Sequence, residues 1–127
     1  MAINQKISIF ISSLILTIIT LRFFLSIFPS ANLNISRYNI HHLYVGSFLV
    51  IVASIFFITN IINNFVIALA GFGSALVLDE IIYLIATDGS DSAYLTAISL
   101  YGAIILTAII LLITGIAYYT SKQKVRE

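Results

Sequence analysis

Two pairs of adjacent ionisable residues stand inside otherwise apolar sequence. His41 and His42 lie in "YNIHHLYVGSF", and Asp79 and Glu80 lie in "LVLDEIIYLIA". Imidazole nitrogens and carboxylate oxygens are donor atoms that bind Zn, Fe or Mn, and the same groups accept and pass on protons. Arg22, in a third apolar stretch, carries a guanidinium that can pair with a carboxylate. These five residues are the candidates for chemistry.

The composition places these residues in a membrane protein. The 127-residue chain is 61% hydrophobic and only 9% charged, whereas soluble domains carry about 25% charged residues. Apolar runs longer than 18 residues predict membrane helices and not strands, so the lipid bilayer is the expected environment. A net charge of +1 argues against a nucleic-acid partner. The absence of cysteine excludes disulfides, thiolate ligands and iron–sulfur clusters.

Four apolar segments predict the fold. Each has about the 20 residues needed to cross a bilayer, and together they form a single transmembrane domain over residues 1–127. The expected fold is all-α, an integral membrane four-helix up-down bundle with helices near 7–28, 37–59, 64–86 and 93–119. Pro29 ends the first segment because it lacks an amide donor.

The distribution of Lys and Arg predicts the orientation, since cations favour the cytoplasmic side. With four spans, one side carries Lys6, Lys122, Lys124 and Arg126, and the other carries Arg37 with Asp88 and Asp91. We therefore expect a multi-pass protein of the cell membrane with both termini cytoplasmic. A cleaved signal peptide over residues 1–31 is the competing interpretation, but its apolar run is long and Pro29 fits the cleavage context poorly.

This topology brings the ionisable residues to one depth. At 1.5 Å per residue, Asp79, Glu80 and Arg22 lie about 10 Å below the outer face, and His41 and His42 lie roughly 6 to 8 Å below it. The same layer of the fourth helix contains Tyr94, Thr96, Ser99 and Tyr101. Intramembrane ionisable groups usually face the bundle interior and pair with one another. We therefore predict one polar layer near the outer face.

Some details of that layer stay open at this stage. Adjacent residues on a helix diverge by about 100°, so His42 and Asp79 are expected to point inward, with His41 and Glu80 flanking them. Arg22 either pairs with a carboxylate or extends to the outer interface. For the tyrosines, the expectation is that the Tyr83 and Tyr101 hydroxyls reach the cluster and that Tyr38, Tyr44, Tyr94, Tyr118 and Tyr119 form an interfacial belt.

The two pairs also carry a resemblance. The element "HHLYVG", with His41, His42 and Gly46, followed by "GFGSALVLDE", with Gly71, Gly73, Leu76, Asp79 and Glu80, resembles a family of small prokaryotic polytopic membrane proteins. That family has H-H-x-x-x-G in one helix and G-x-G-x-x-L-x-x-D-E in the next. The resemblance covers roughly residues 40–84. It implies that the histidines and the acids belong together, and it implies no reaction.

Three functions follow as hypotheses. The first is a metal or proton site built from the His/carboxylate/Arg cluster, the metal being a divalent ion such as Zn, Fe or Mn. A haem is not expected, because both histidines lie on one helix. The second is a non-catalytic accessory subunit of a larger membrane complex. The third is a small dimeric proton-coupled transporter: the length and span number resemble the small multidrug resistance proteins, but the first helix lacks their glutamate.

Enzymatic activity stays undecided on the sequence. No H-E-x-x-H motif occurs, and Ser74 in "GFGSA" does not match G-x-S-x-G.

Overall fold

The structure, a computed structural model, describes residues 2–29, 31, 34–35 and 38–124 and is helical over nearly all of them. The helices are α1 (Ile3–Ile27), α2 (His42–Ile58), α3 (Asn64–Ala86), α4 (Asp91–Tyr94) and α5 (Ala97–Lys124). A two-residue antiparallel ladder joins β1 (Asn34–Ile35) to β2 (Tyr38–Asn39) between α1 and α2. The expectation of an all-α chain is thus confirmed, apart from this short ladder. Arg37 and Arg126, used above for orientation, lie outside the described residues.

Three of the helices are long and apolar enough to cross a membrane: Ile3–Ile27, Asn64–Ala86 and Ala97–Gln123. The apolar helix α2 has 17 residues and is the shortest of the four long helices. At 1.5 Å per residue it spans about 26 Å, slightly less than a typical hydrocarbon core. Large apolar side chains such as Phe23, Phe48 and Ile113 are exposed on the outside of these helices. Such a surface indicates a lipid environment.

The central element is α3, which packs against α1, α2 and α5. Among the described residues, α2 packs against α3 and against no other long helix. A small apolar core lies where Ala53 of α2 meets Val66 and Ala70 of α3. Between α1 and α3, Ser13 donates a hydrogen bond to the carbonyl of Ala68 at 2.8 Å. The arrangement is therefore three helices around one.

The approach of α2 to α3 depends on two glycines. A Cβ atom at Gly46 would lie 2.6 Å from the carbonyl oxygen of Gly73, and one at Gly73 would lie 2.9 Å from the carbonyl oxygen of Gly46. Backbone therefore contacts backbone at this crossing, as small residues allow in membrane helices. The crossing lies one turn from His42, so it sets the distance between the two ionisable pairs.

The second predicted helix begins later than expected. It starts at His42 and not near residue 37, because Tyr38 and Asn39 are paired in the ladder and His41 is extended, with φ −60° and ψ 137°. Nothing in the apolar pattern signals this ladder, which has only two residues in each strand.

The fourth predicted helix is divided in two. Instead of one helix from about residue 93, α4 ends at Tyr94 and α5 begins at Ala97. In a continuous helix the Tyr94 carbonyl would accept from the amide of residue 98. Here it accepts from Arg22 Nη1 at 3.3 Å. At this break the Tyr94 side chain faces the interior of the protein, and the residue is 6% exposed.

Candidate functional site

The ionisable side chains of three segments meet at one end of α3. Asp79 and Glu80 are 0% and 2% exposed, respectively, and their partners come from α1, from the start of α2 and from α4. We call this group the polar cluster; its members are Arg22, His41, His42, Asp79, Glu80 and Tyr94. The structure thus brings together all five candidate residues from the sequence, and it adds Tyr94.

Arg22 pairs with Asp79 and does not extend away from it. Its Nε donates to Asp79 Oδ1 at 2.5 Å, and its Nη2 donates to the Asp79 carbonyl at 3.1 Å. The same Nη2 lies 3.2 Å from the carbonyl and 3.1 Å from the hydroxyl of Ser99 on α5. The guanidinium therefore connects α1 to α3, to α4 through the Tyr94 carbonyl, and to α5. Of the two alternatives left open for Arg22, the structure has the carboxylate pair.

Asp79 is surrounded by donors. Besides Arg22 at Oδ1, its Oδ2 accepts a hydrogen bond from the Tyr94 hydroxyl and lies 3.3 Å from His42 Nε2. All three partners can donate a hydrogen bond, so Asp79 can accept from each of them and does not have to donate one. A fully buried carboxylate with such partners is stabilised in its ionised form, because each donor stabilises the negative charge.

Glu80 replaces a missing helix cap. The N-cap residue of α2, His41, makes no capping hydrogen bond with its own side chain. Instead, Glu80 Oε2 accepts from the amide of Leu43 at 2.6 Å, and Glu80 Oε1 lies 2.6 Å from His41 Nδ1. A carboxylate at a helix N-terminus satisfies an otherwise unpaired amide and interacts favourably with the helix dipole. Glu80 therefore fixes where α2 begins.

The two histidines both reach the acids. The expectation that His42 points inward with His41 flanking it assumed that both lie on a helix, but His41 precedes α2 in an extended conformation. His41 Nδ1 faces Glu80, while His42 has Nε2 at 3.3 Å from Asp79 Oδ2 and Nδ1 at 3.4 Å from Glu80 Oε2. The side chains of His41 and His42 are 23% and 22% exposed, so neither is the more inward. His42 bridges the two carboxylates.

The tyrosines differ from the prediction. Tyr101 is 63% exposed, so the prediction that its hydroxyl supports the cluster is wrong. Tyr94, predicted to belong to the interfacial belt, is buried instead. Its ring packs edge-on against His42 at 5.8 Å and lies 4.6 Å from the Arg22 guanidinium carbon. The break between α4 and α5 causes this exchange, because it changes which residues of the segment face inward.

Tyr83 lies beside the cluster and holds the loop that follows α3. Its hydroxyl donates to the carbonyl of Gly89 at 2.6 Å, and its ring lies 6.1 Å from that of His41. Gly89 has φ +73°, as expected of the glycine in this turn. In the same exposed loop, hydrogen bonds from the Ser90 amide and hydroxyl lower the pKa of Asp88 below its usual value. Tyr83 thus links the cluster to the loop that leads into α4.

The geometry does not fit a divalent metal. Among residues 2–29, 31, 34–35 and 38–124, no group of three or more His, Cys, Asp or Glu side chains is arranged to hold one. The carboxylate oxygens already accept from Arg22, Tyr94 and the backbone, and a metal beside the guanidinium would meet its positive charge. The donor set that suggested Zn, Fe or Mn is therefore engaged within the protein.

Comparison with known proteins adds no identity. No family model matches the chain, and neither a curated protein nor a solved structure matches it. The family resemblance of the His and acid elements stays an expectation from the sequence.

Proposed function

We propose that this chain is a small multi-pass membrane protein whose polar cluster reversibly binds a proton, with His42 as the residue that holds it. The observation that carries the proposal is the position of His42 between two buried carboxylates: Nε2 lies 3.3 Å from Asp79 Oδ2, and Nδ1 lies 3.4 Å from Glu80 Oε2. The proposal is supported by the charge balance of the cluster, by the two ring nitrogens of His42 and by a route for a proton from the surface.

Charge balance requires one more positive charge than Arg22 supplies. With both acids ionised and both imidazoles neutral, the cluster carries two negative charges and one positive charge, a net charge of −1. An uncompensated charge is costly in a buried site or a membrane. One additional proton makes the cluster neutral.

Ring chemistry favours His42 as the holder of that proton. A neutral imidazole has one donor and one acceptor nitrogen, whereas the imidazolium donates from both. Because each nitrogen of His42 faces a carboxylate oxygen, the neutral form would set a lone pair against one of them. His41 contacts only Glu80 through a ring nitrogen, so one neutral tautomer with a proton on Nδ1 is sufficient there.

A proton has a route to this position. The side chain of His41 is 23% exposed, and it connects to Glu80, which in turn lies beside His42 and, through it, Asp79. Protons move between such groups when each is within hydrogen-bond reach of the next. The proposed orientation has four helices in up-down order with both termini in the cytoplasm, which places the polar cluster near the outer face. The positive-inside distribution of Lys and Arg supports that orientation.

The test is infrared difference spectroscopy of the protein in lipid vesicles after a change from alkaline to neutral pH, across which the cluster is proposed to take up its proton. We expect imidazole ring bands from protonation of His42. The His42→Gln variant should lose them, and the matched His41→Gln variant should keep them. Bands that persist in His42→Gln, or that disappear only in His41→Gln, would refute the proposal.

A second candidate function is favoured by an apolar groove between α1 and α3. The groove has a volume of about 400 Å³ and is lined by Leu16, Phe24, Phe72 and Leu76. A helix of another membrane subunit, or of a second copy, would fit such a groove. The chain would then be an accessory subunit, and the cluster would only orient its helices. Native mass measurement after mild solubilisation tests this, and the accessory-subunit function fails if only the monomer or a homodimer is found.

A further inference from the structure

A second groove lies at the end of the protein opposite the polar cluster. It has a volume of about 290 Å³, and residues from all four long helices line it: Lys6 and Phe10 of α1, Phe57 of α2, Ile67 of α3 and Thr114 of α5. The loop between α2 and α3 completes it with Ile62. The groove is apolar except near Lys6 and the Thr114 hydroxyl, and that hydroxyl donates to the carbonyl of Ile110 at 2.8 Å.

Lys6 has no acidic partner in the described part of the chain. The carboxylates that the structure describes belong to Asp79, Glu80 and Asp88, which lie in the second half of α3 and in the segment that follows it. Lys6 makes no ion pair with any of them. Another described lysine near this end, Lys122, sits 5.6 Å from the ring of Tyr118 and does not line the groove. The positive charge at the groove is therefore available to a ligand.

We propose that this groove binds an anionic phospholipid of the inner leaflet. Its apolar walls would contact an acyl chain, and the ammonium of Lys6 would contact the phosphate. Basic pockets between membrane helices on the cytoplasmic side bind anionic head groups, and a half-buried lysine can place its stem on the apolar wall and its charge at the interface. Assignment to the inner leaflet rests on the proposed orientation, whereas binding itself does not depend on the proton site.

The experiment is native mass spectrometry of the protein from nanodiscs that contain phosphatidylglycerol or phosphatidylcholine. Both leaflets have the same composition, so the result does not depend on orientation. Wild-type protein should retain one phosphatidylglycerol molecule in preference to phosphatidylcholine. Lys6→Gln should weaken that retention about fivefold, the effect expected of one lysine near a membrane surface. Lys6→Arg should retain the lipid.

Lys122→Gln is the matched control, because it removes the same charge away from the groove. We expect its retention of phosphatidylglycerol to stay within about twofold of wild type, since Lys122 does not line the groove. Equal losses in the two Gln variants would mean that a diffuse positive surface attracts the lipid, and the proposal would be wrong. Equal retention of the two lipids by wild type, or retention of neither, would overturn it as well.

Discussion

Replacing Arg22 by Met should destabilise the protein more than any other single change of a charged residue outside α3. Met keeps the apolar stem of the side chain and removes its charge and its hydrogen bonds. The guanidinium donates to Asp79 twice, to Ser99 twice and to the Tyr94 carbonyl once. Its loss therefore affects α3, α4 and α5 together, and it leaves the polar cluster one positive charge short.

The size of the effect follows from burial. The side chains of Arg22 and Asp79 are 13% and 0% exposed, so the pair is a buried one. Removal of one partner of a buried pair costs about 3 to 5 kcal/mol, whereas an exposed pair contributes about 0 to 1 kcal/mol. Protonation of Asp79 can restore neutrality, so we expect the lower end, about 3 kcal/mol. That corresponds to a change of more than about a hundredfold in the unfolding equilibrium.

The assay is reversible unfolding in mixed micelles by increasing SDS, followed by circular dichroism. Lys122→Met serves as the control, because it removes a cation that sits on a tyrosine ring; its cost should be below about 1 kcal/mol. The double variant Arg22→Met/Asp79→Asn should be more stable than Arg22→Met alone, because no unpaired charge is left. If Arg22→Met costs less than about 1 kcal/mol, and the costs of Arg22→Met and Asp79→Asn simply add in the double variant, then Arg22 does not stabilise Asp79 and this prediction is wrong.

Three further outcomes test the packing around the cluster. Gly46→Ala should lower the free energy of unfolding by about 1 to 3 kcal/mol, since its Cβ would meet the backbone of α3. In the control Gly115→Ala, the new Cβ would meet nothing within 4 Å, so the change should be neutral or slightly stabilising. Equal changes in stability in the two variants would argue against the close crossing of α2 and α3. Glu80→Gln should speed hydrogen exchange of the Leu43 amide, because one amide oxygen cannot serve both partners of the carboxylate; unchanged exchange would contradict the cap. Tyr83→Phe should cost about 1 kcal/mol and raise exchange in the loop after α3, and a protected loop would count against that hydrogen bond.

The sequence was sufficient to predict α1 and α3 and the meeting of the polar residues. Apolar runs of known length predict α1 and α3 within a few residues. Because a buried charge requires a partner, the sequence alone predicts that Arg22, His42 and Asp79 lie at one level. Their contact in the structure agrees with that physical argument.

The parts that could not be predicted depend on backbone outside regular helices. His41 reaches Glu80 because it is extended and precedes α2, and Tyr94 is buried because the helix breaks after it. Neither break is marked by Pro or Gly, the usual signals in a sequence. The Tyr94 carbonyl and the Leu43 amide are backbone groups satisfied by distant side chains, and such pairing depends on the tertiary structure.

The protonation state of His42 at neutral pH tests the central claim most directly. Nitrogen-15 solid-state NMR of the histidine side chains in lipid bilayers distinguishes an imidazolium from either neutral tautomer, and the His41→Gln and His42→Gln variants assign the two residues. We expect His42 to carry protons on both ring nitrogens, each directed to a carboxylate, and to lose this signature in Asp79→Asn/Glu80→Gln. A neutral His42 with a single protonated nitrogen at pH 7 would contradict the proposed proton site.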